Sequence, residues 1–330
     1  DHMPARESIR HSLFQVVSIV TTTGFITSDY LIWPFSTWML LFLLMFTGGC
    51  AGSTGGGIKI VRIILMFKNS LLELKRMVHP NAILPVRLNG KAISQQIIFN
   101  VLAFFLIYIL IFGFGSLIMS FLGLDFESAV GSVAASLGNI GPGLGVVGPV
   151  LNYGVLPDLA KCWHSLCCWA VLNCLPYLYY SLLLSGKNKC TYFAHVSMIH
   201  FRAIAKIIGL LLMIEGLIMC AAIPFSLYFG GKDLIYILIS VLITISAGLI
   251  LWFNITRYRQ QDIGRREGYL IVSIIWVIMS AFGALPFYLS GYIPHFTDAY
   301  FETISGFTTT GASILTDIEA IPKGLIFWRS

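Results

Sequence analysis

Two stretches far apart in the chain carry the same pattern. Phe14-Gln15-Val16-Val17-Ser18-Ile19-Val20-Thr21-Thr22-Thr23-Gly24-Phe25 is echoed by Phe301-Glu302-Thr303-Ile304-Ser305-Gly306-Phe307-Thr308-Thr309-Thr310-Gly311-Ala312. Each opens on Phe, runs through a short helical pattern and reaches Thr-Thr-Thr-Gly at the same offset. A unit repeated at fixed spacing marks one structural element used more than once. Here the unit reads as half a helix followed by a Thr/Gly turn. What that unit can become depends on its medium. The 330 residues are 57% hydrophobic and only 11% charged, with a mean hydropathy of +0.84. Soluble domains carry about 25% charged residues, so the chain reads as an all-α integral membrane protein whose partner is the lipid bilayer.

In lipid, half a helix followed by irregular backbone is a re-entrant loop. Such backbone is tolerated at membrane depth only where it is buried in protein or lines a water-filled path. Three β-branched residues before a Gly suit an extended strand whose carbonyls point one way and replace the hydration shell of a cation. The plainer reading is a Thr-rich turn that caps a helix. Two copies between membrane spans favour the pore loop.

A second irregular stretch interrupts the apolar span 35–66 at Thr47-Gly48-Gly49-Cys50-Ala51-Gly52-Ser53-Thr54-Gly55-Gly56-Gly57. A helix carried through that run would lose about 1 kcal/mol per Gly relative to Ala. The helix is therefore expected to break in mid-membrane, as helices lining transport paths do. A phosphate loop is excluded. Lys59 is separated from Gly57 by Ile58, Ile60 follows it, and no strand is expected before the run. Close helix packing through Gly52 and Gly56 is the plainer alternative.

Taken in order, residues 7–20 read as a half-helix and 59–95 as a basic cytoplasmic loop carrying Lys59, Arg62, Lys68, Lys75, Arg76, Arg87 and Lys91. Residues 96–122 span. Asp125-Phe126-Glu127-Ser128 opens a short helix ending in Leu137-Gly138-Asn139-Ile140-Gly141-Pro142-Gly143, a third re-entrant turn of degenerate chemistry. Residues 163–185, 203–229, 233–254 and 269–291 are long enough to span, a half-helix at 297–306 precedes Thr308, and another helix starts near Pro322. If every re-entrant turn enters from outside, all basic clusters lie inside, including Lys187/Lys189 and Arg257/Arg259/Arg265/Arg266, in keeping with the positive-inside rule. The net charge of +6 is thus topological and implies no nucleic-acid partner. The seven Cys form no CxxC and no zinc spacing. No catalytic constellation or cofactor motif is present, so an enzyme is not expected. The acidic residues Asp125, Glu127, Asp298 and Glu302 read as charges at half-helix starts. Glu215 is the chief ionisable residue within a span. Such residues are what a cation-coupled secondary transporter would use.

The glycine run 48–59, the two Thr-Thr-Thr-Gly turns and Asn-Ile-Gly-Pro-Gly at 139–143 resemble the Trk/Ktr/HKT potassium-transporter superfamily, and most closely its bacterial Trk-type membrane subunit. The resemblance covers nearly all of 6–161 and 198–330. It implies helix–pore-loop–helix repeats like a potassium channel pore, sited in a bacterial inner membrane as a multi-pass protein. It implies a first filter at Thr308, Thr309, Thr310 and Gly311, a third at Thr21, Thr22, Thr23 and Gly24, and a fourth at Asn139, Ile140 and Gly141. Potassium would be held by their carbonyls. Glycine at Gly311 accompanies potassium rather than sodium selection in that family. The loop of Gly48, Gly49, Gly52, Ser53, Thr54, Gly55, Gly56, Gly57 and Lys59 would be the gate, with Lys59 either repelling cations there or anchoring the helix at the interface. A homodimer and a cytoplasmic nucleotide-binding regulatory subunit are implied as partners.

The order of the parts departs from the family. Residues 1–161 resemble its third and fourth repeats, and 198–330 its N-terminal helices and first repeat. The second repeat has no counterpart. Residues 162–197 resemble nothing in the family, although its last helix, carrying Gly-Arg-Leu-Glu-Leu-Phe, belongs there. One coding of Trp169–Leu175 yields that run two nucleotides later. The expectation is a frameshifted junction, set against a divergent but genuine linker. With three of four filters, the chain alone is expected to conduct little or nothing, as a membrane fragment or scaffold would.

Overall fold

A computed structural model describes residues 4–53, 55–79, 81–82, 84–169, 201–253 and 265–330. Thr54 of the glycine run and most of the junction at 162–197 lie outside the described residues. The chain divides into two compact units. One holds the described residues up to Leu151, and the other runs from Asn152 through Trp169 and continues from 201 to Ser330.

In the first unit, α1 (Ala5–Val20) is the expected half-helix and ends at Thr21. A 3-10 turn, Tyr30–Ile32, is closed by the Asp29 carboxylate, which accepts from Leu31 N at 2.9 Å. Pro34 opens α2 (Phe35–Met45). The chain then leaves helix altogether. Strand β1 (Thr47–Gly48) pairs in parallel with β2 (Ile58–Lys59), with Thr47 opposite Ile58 and Gly48 opposite Lys59. Helix resumes only at α3 (Ile60–Val78). Residues 59–95, expected as a loop, are therefore mostly a helix followed by a hairpin of β3 (Arg87–Leu88) and β4 (Lys91–Ala92). The basic residues mark a side of the membrane, not an absence of structure. Several of them hold loop carbonyls, as Arg76 Nη2 does at Leu84 O (2.5 Å) and Lys68 Nζ at Arg87 O (3.2 Å). Leu65, Val86, Ile98 and Val101 form a small core beneath the hairpin.

Helix α4 (Gln95–Phe121) is 27 residues long, more than the roughly 20 needed to cross the hydrocarbon. Asp125 caps α5 (Phe126–Gly138), accepting from Ser128 N at 3.2 Å. Ten of its thirteen residues are buried, unusual for so polar and small a set, because α2 and α4 enclose it. A core of Ile19, Tyr30, Leu41, Met45, Ala134, Ile140 and Leu144 joins α1, α2 and α5.

The second unit begins with a 3-10 turn, Tyr153–Val155, and α6 (Asp158–Trp169). Helix α7 (Phe201–Met219) continues after a short break as α8 (Ala222–Tyr228), and α9 (Leu234–Phe253) returns beside it. Small residues let these backbones meet. A methyl group at Gly209 would lie 2.8 Å from Gly248 O, and one at Gly248 2.7 Å from Gly209 O. The small-residue packing expected at Gly52 and Gly56 is thus found here, since those two glycines lie in non-helical backbone. Helices α10 (Arg265–Gly283) and α11 (Leu285–Leu289) form the next span, followed by α12 (Phe296–Phe307) and α13 (Lys323–Arg329). Asp233 ties α13 back, accepting from Ser226 Oγ at 2.5 Å and Leu325 N at 3.0 Å. Among the described residues four helical segments, Gln95–Phe121, Ile204–Tyr228, Leu234–Phe253 and Ile271–Leu289, are long and apolar enough to cross a membrane.

Candidate functional site

The two Thr-Thr-Thr-Gly stretches fold into the same turn. Helix α1 ends at Thr21 (φ −81°, ψ −4°) and α12 at Thr308 (φ −79°, ψ −1°). In each the next residue turns left-handed: Thr22 and Thr309 both have φ 57°. Thr22 N bonds Ile19 O at 3.1 Å and Thr23 N bonds Ser18 O at 2.9 Å; Thr309 N bonds Gly306 O at 3.0 Å and Thr310 N bonds Ser305 O at 2.9 Å. This pair of bonds is a Schellman motif, which closes the carbonyls left open at a helix C-terminus. The side chains repeat as well. Thr21 Oγ1 donates to Val17 O and Thr308 Oγ1 to Ile304 O, both at 2.6 Å. The first and third threonine hydroxyls of each triplet then meet, at 2.8 Å and 2.7 Å. Both turns end on a glycine with positive φ, 75° at Gly24 and 77° at Gly311.

The third turn uses different residues for the same backbone. Gly138 closes α5, Asn139 takes the left-handed place with φ 55°, and Gly141 follows at φ 96°. Asn139 N bonds Ser136 O at 3.1 Å and Ile140 N bonds Ala135 O at 3.0 Å. The sequence reading took the threonines for an extended strand. The triplet is instead helical, then left-handed. A β-branched residue with φ near +60° is a genuine outlier, costing of order 1–3 kcal/mol. The only sequence signal was Asn139, the residue type most at ease there, in register with Thr22 and Thr309.

Within the first unit the turns at 21–24 and 139–143 touch each other and the glycine run. A methyl group at Gly24 would overlap the Ile140 carbonyl oxygen, so the two turns meet backbone to backbone. Tyr30, fully buried, donates its hydroxyl to Gly143 O at 2.7 Å and fixes the exit of the second turn. The glycine run lies against the helix ends. Gly57 N donates to Leu137 O at 3.1 Å. A methyl at Gly56 would sit 2.5 Å from Gly138 O and 2.8 Å from Asn139 Cβ, and one at Gly55 would overlap Thr22 Oγ1. The neck is held by Ile58 N to Phe46 O at 2.8 Å and by the β1–β2 pairing, which sets Gly48 beside Lys59. Lys59 Nζ donates to Gly55 O, so its ammonium closes the loop from within. Gly49 packs on Ser53, whose Oγ accepts from Gly55 N at 3.3 Å; Gly52 is exposed at φ 91° with open space around it. The structure thus brings together Thr22, Gly24, Gly138–Gly141 and Gly55–Gly57.

The acidic residues divide. Asp125 is a helix cap whose carboxyl is held below the usual range by its hydrogen bonds to Ser128, and Glu127 is exposed. Asp298 pairs with the buried Lys161 at 2.5 Å. Glu302 is not at a helix start. It lies buried on the second turn of α12 and takes Ser313 Oγ (3.0 and 3.3 Å), Ile314 N (2.9 Å) and Arg329 Nε as partners. Sequence reading missed this network, because its members are separated by up to 27 residues. Glu215 on α7 is buried and neither carboxylate oxygen accepts a hydrogen bond from a described residue. It lines a cavity of about 350 Å³ together with Met279, Phe287, Glu302, Phe307 and Arg329.

These parts recur in known proteins. A family model described as TrkH, cation transport protein, matches residues 1–169 and 235–330. The Trk system potassium uptake protein TrkH of Escherichia coli K12 is 48% identical over 130 residues, covering 39% of this chain and 27% of that protein. TrkG of the same organism is 38% identical over 179 residues, covering 54% and 36%. The crystal structure of the potassium transporter TrkH from Vibrio parahaemolyticus matches with a TM-score of 0.50 at 39% identity, over 56% of this chain and 38% of that one. The chain thus spans about a third of the length of these relatives. With the family model covering most of its residues, this chain is a member of the TrkH cation transport protein family.

Proposed function

We propose that the chain carries the ion-coordinating parts of a potassium uptake protein of a bacterial inner membrane. The observation that carries this is the common backbone of the turns at Thr21–Gly24, Gly138–Gly141 and Thr308–Gly311. Three helices end in one left-handed motif and each motif ends on a positive-φ glycine. The helix C-termini supply partial negative charge, and backbone carbonyls beside them replace water around a dehydrated cation. Selection of potassium rests on Gly311, together with Gly24 and Gly141. The run Gly48–Gly57, closed by Lys59, is the gate, since it packs under two of the turns. Thr54 belongs to it by sequence alone.

Among the described residues three such turns are present, one short of a four-part ring. We therefore keep the division into a third/fourth-repeat region at 1–161, a junction at 162–197 and a first-repeat region at 198–330. The family match leaves out 170–234, which covers most of the junction. A homodimer and a cytoplasmic nucleotide-binding subunit complete the proposed assembly, in a role of transport rather than catalysis. Cation-coupled transport is the second reading, and Glu215, buried and without a hydrogen-bond partner among the described residues, is the observation that favours it.

The test is cation-specific stabilisation of the purified chain. Potassium should raise its melting temperature above that in equal sodium, and Gly311→Ser or Gly24→Ser should remove the difference. Identical melts in both salts would end the filter reading. Growth of an uptake-deficient bacterium measures completeness separately: little or no rescue is expected, and rescue equal to a full-length relative would show that the chain builds a whole pore.

A further inference from the structure

In two of the three copies, the side chain six positions before the turn's first residue holds the chain that leaves the turn, and the third copy makes that contact from neighbouring positions. Gln15, on α1, donates its Nε2 to Ser28 O at 3.2 Å. On α5 the place falls to Ser132, and its neighbour Gly131 lets the outgoing strand lie directly on the helix. A methyl there would sit 2.5 Å from Leu144 N. One turn earlier Ser128 Oγ accepts from Val146 N at 2.9 Å. On α12 the place is Glu302, with its four contacts to Ser313, Ile314 and Arg329.

The charged solution is the costly one. The Glu302 side chain is 1% exposed, and a buried carboxylate persists only when paired and fully hydrogen-bonded. Arg329 supplies the charge, and the outgoing strand supplies the remaining donors. Ser313 is pinned from its other side too, because its carbonyl accepts from Tyr153 N at 2.9 Å. Gly311 lies two residues upstream, with Ala312 buried between. The backbone leaving Gly311 therefore cannot shift without breaking a charge-assisted cluster.

We propose that Glu302, held by Arg329, is a positioning residue for the turn Thr308–Gly311: it fixes the outgoing strand and so sets the spacing of the carbonyls that discriminate among monovalent cations. This rests on the reading of that turn as cation-coordinating. Gln15 is its neutral, looser counterpart behind Thr21–Gly24.

The experiment is hydrogen–deuterium exchange on the whole chain in lipid nanodiscs, in potassium and in sodium. The variants are Glu302→Gln combined with Arg329→Met, which leaves no unpaired charge, and Ser313→Ala, which keeps the ion pair. In sodium, both should speed exchange of 308–315 by about tenfold, as expected for losing hydrogen bonds to a charged group. Exchange of 21–28 should be unchanged. The slowing that potassium confers on 308–311 over sodium should disappear in the double variant and survive Gln15→Ala. Unchanged exchange of 308–315 in both variants would overturn the proposal, as would a potassium effect that persists in the double variant. If the double variant fails to fold, Ser313→Ala decides on its own. An unmodified chain that exchanges alike in both salts would instead refute the filter reading, and the tether would then be judged on the sodium data.

Discussion

Thr22 and Thr309 hold a backbone conformation that β-branched residues avoid, and they do so in the same hydrogen-bonded frame. The third copy shows how the strain is relieved, because Asn139 adopts the same angles. Thr309→Asn is therefore expected to leave stability unchanged or raise it by about 1 kcal/mol, read by thermal melting in detergent. Gly24 and Gly311 share a φ but not a setting. Gly311 has open space around it, whereas Gly24 abuts the Ile140 carbonyl. Gly311→Ala should cost only the left-handed penalty of about 1–2 kcal/mol. Gly24→Ala should cost more, because the neighbouring turn must also move. Equal losses in the two variants would contradict the backbone contact. Asp125→Ala should remove a helix cap and cost about 1 kcal/mol. Its carboxyl is depressed in the folded chain, so this contribution is present at neutral pH. It fades as acid protonates the group below the usual aspartate range, and the variant and unchanged chain should then converge.

At the scale of elements, sequence reading went furthest where chemistry forces a break. Pro34, Pro322, the glycine run and the Asp125 cap each place a helix end, and the helices beginning at Phe35, Lys323 and Phe126 begin where those residues require. It went wrong at 67–78, where basic residues were read as loop although apolar residues recur at helical spacing. It also could not see the parallel bridge of β1 and β2. Two residue pairs joined across a nine-residue gap leave no periodicity to detect. The glycines of this loop are predicted to be unequal. Gly56→Ala drives a methyl group into Gly138 O and Asn139 and should undock the loop. Gly52→Ala, exposed at φ 91°, should cost only backbone strain. Protease susceptibility at Cys50–Gly57 should rise sharply for the first variant and little for the second; the reverse order would mean the loop is not seated on α5.

For the whole molecule, composition and the basic clusters suffice to name the medium, and the four membrane-length helices agree with it. The positions of the turns and of the irregular loop were also legible, since both are dense in unusual residues. Partnerships of single buried side chains, such as Tyr30 with Gly143 or Glu302 with Arg329, were not, because nothing local constrains them. The topology makes a direct prediction. Lys91 and Lys232 are both exposed, and the positive-inside reading expects Lys91 on the inner side and Lys232 on the outer. In sealed cells, a membrane-impermeant thiol reagent should give added labelling for Lys232→Cys and none for Lys91→Cys. Equal labelling would break the assignment of every re-entrant turn to the outer side. Sequencing the encoding DNA tests the junction: an alternate frame that restores Gly-Arg-Leu-Glu across Trp169–Leu175 would explain it, and no such frame would leave a genuine linker.

The β1–β2 bridge has a mechanical consequence. It ties the C-terminal end of α2 to the N-terminal start of α3, so residues 49–57 form a noose whose knot is two residue pairs long. Because only alternate residues turn their backbone groups toward the partner strand, a one-residue slide would untie the knot, and re-tying it in a new register takes a two-residue step of about 6.6 Å, which lengthens or shortens the noose by that much. Lying as it does against Thr22, Leu137 and Gly138, the noose would answer helix movement in discrete clicks rather than by gradual bending.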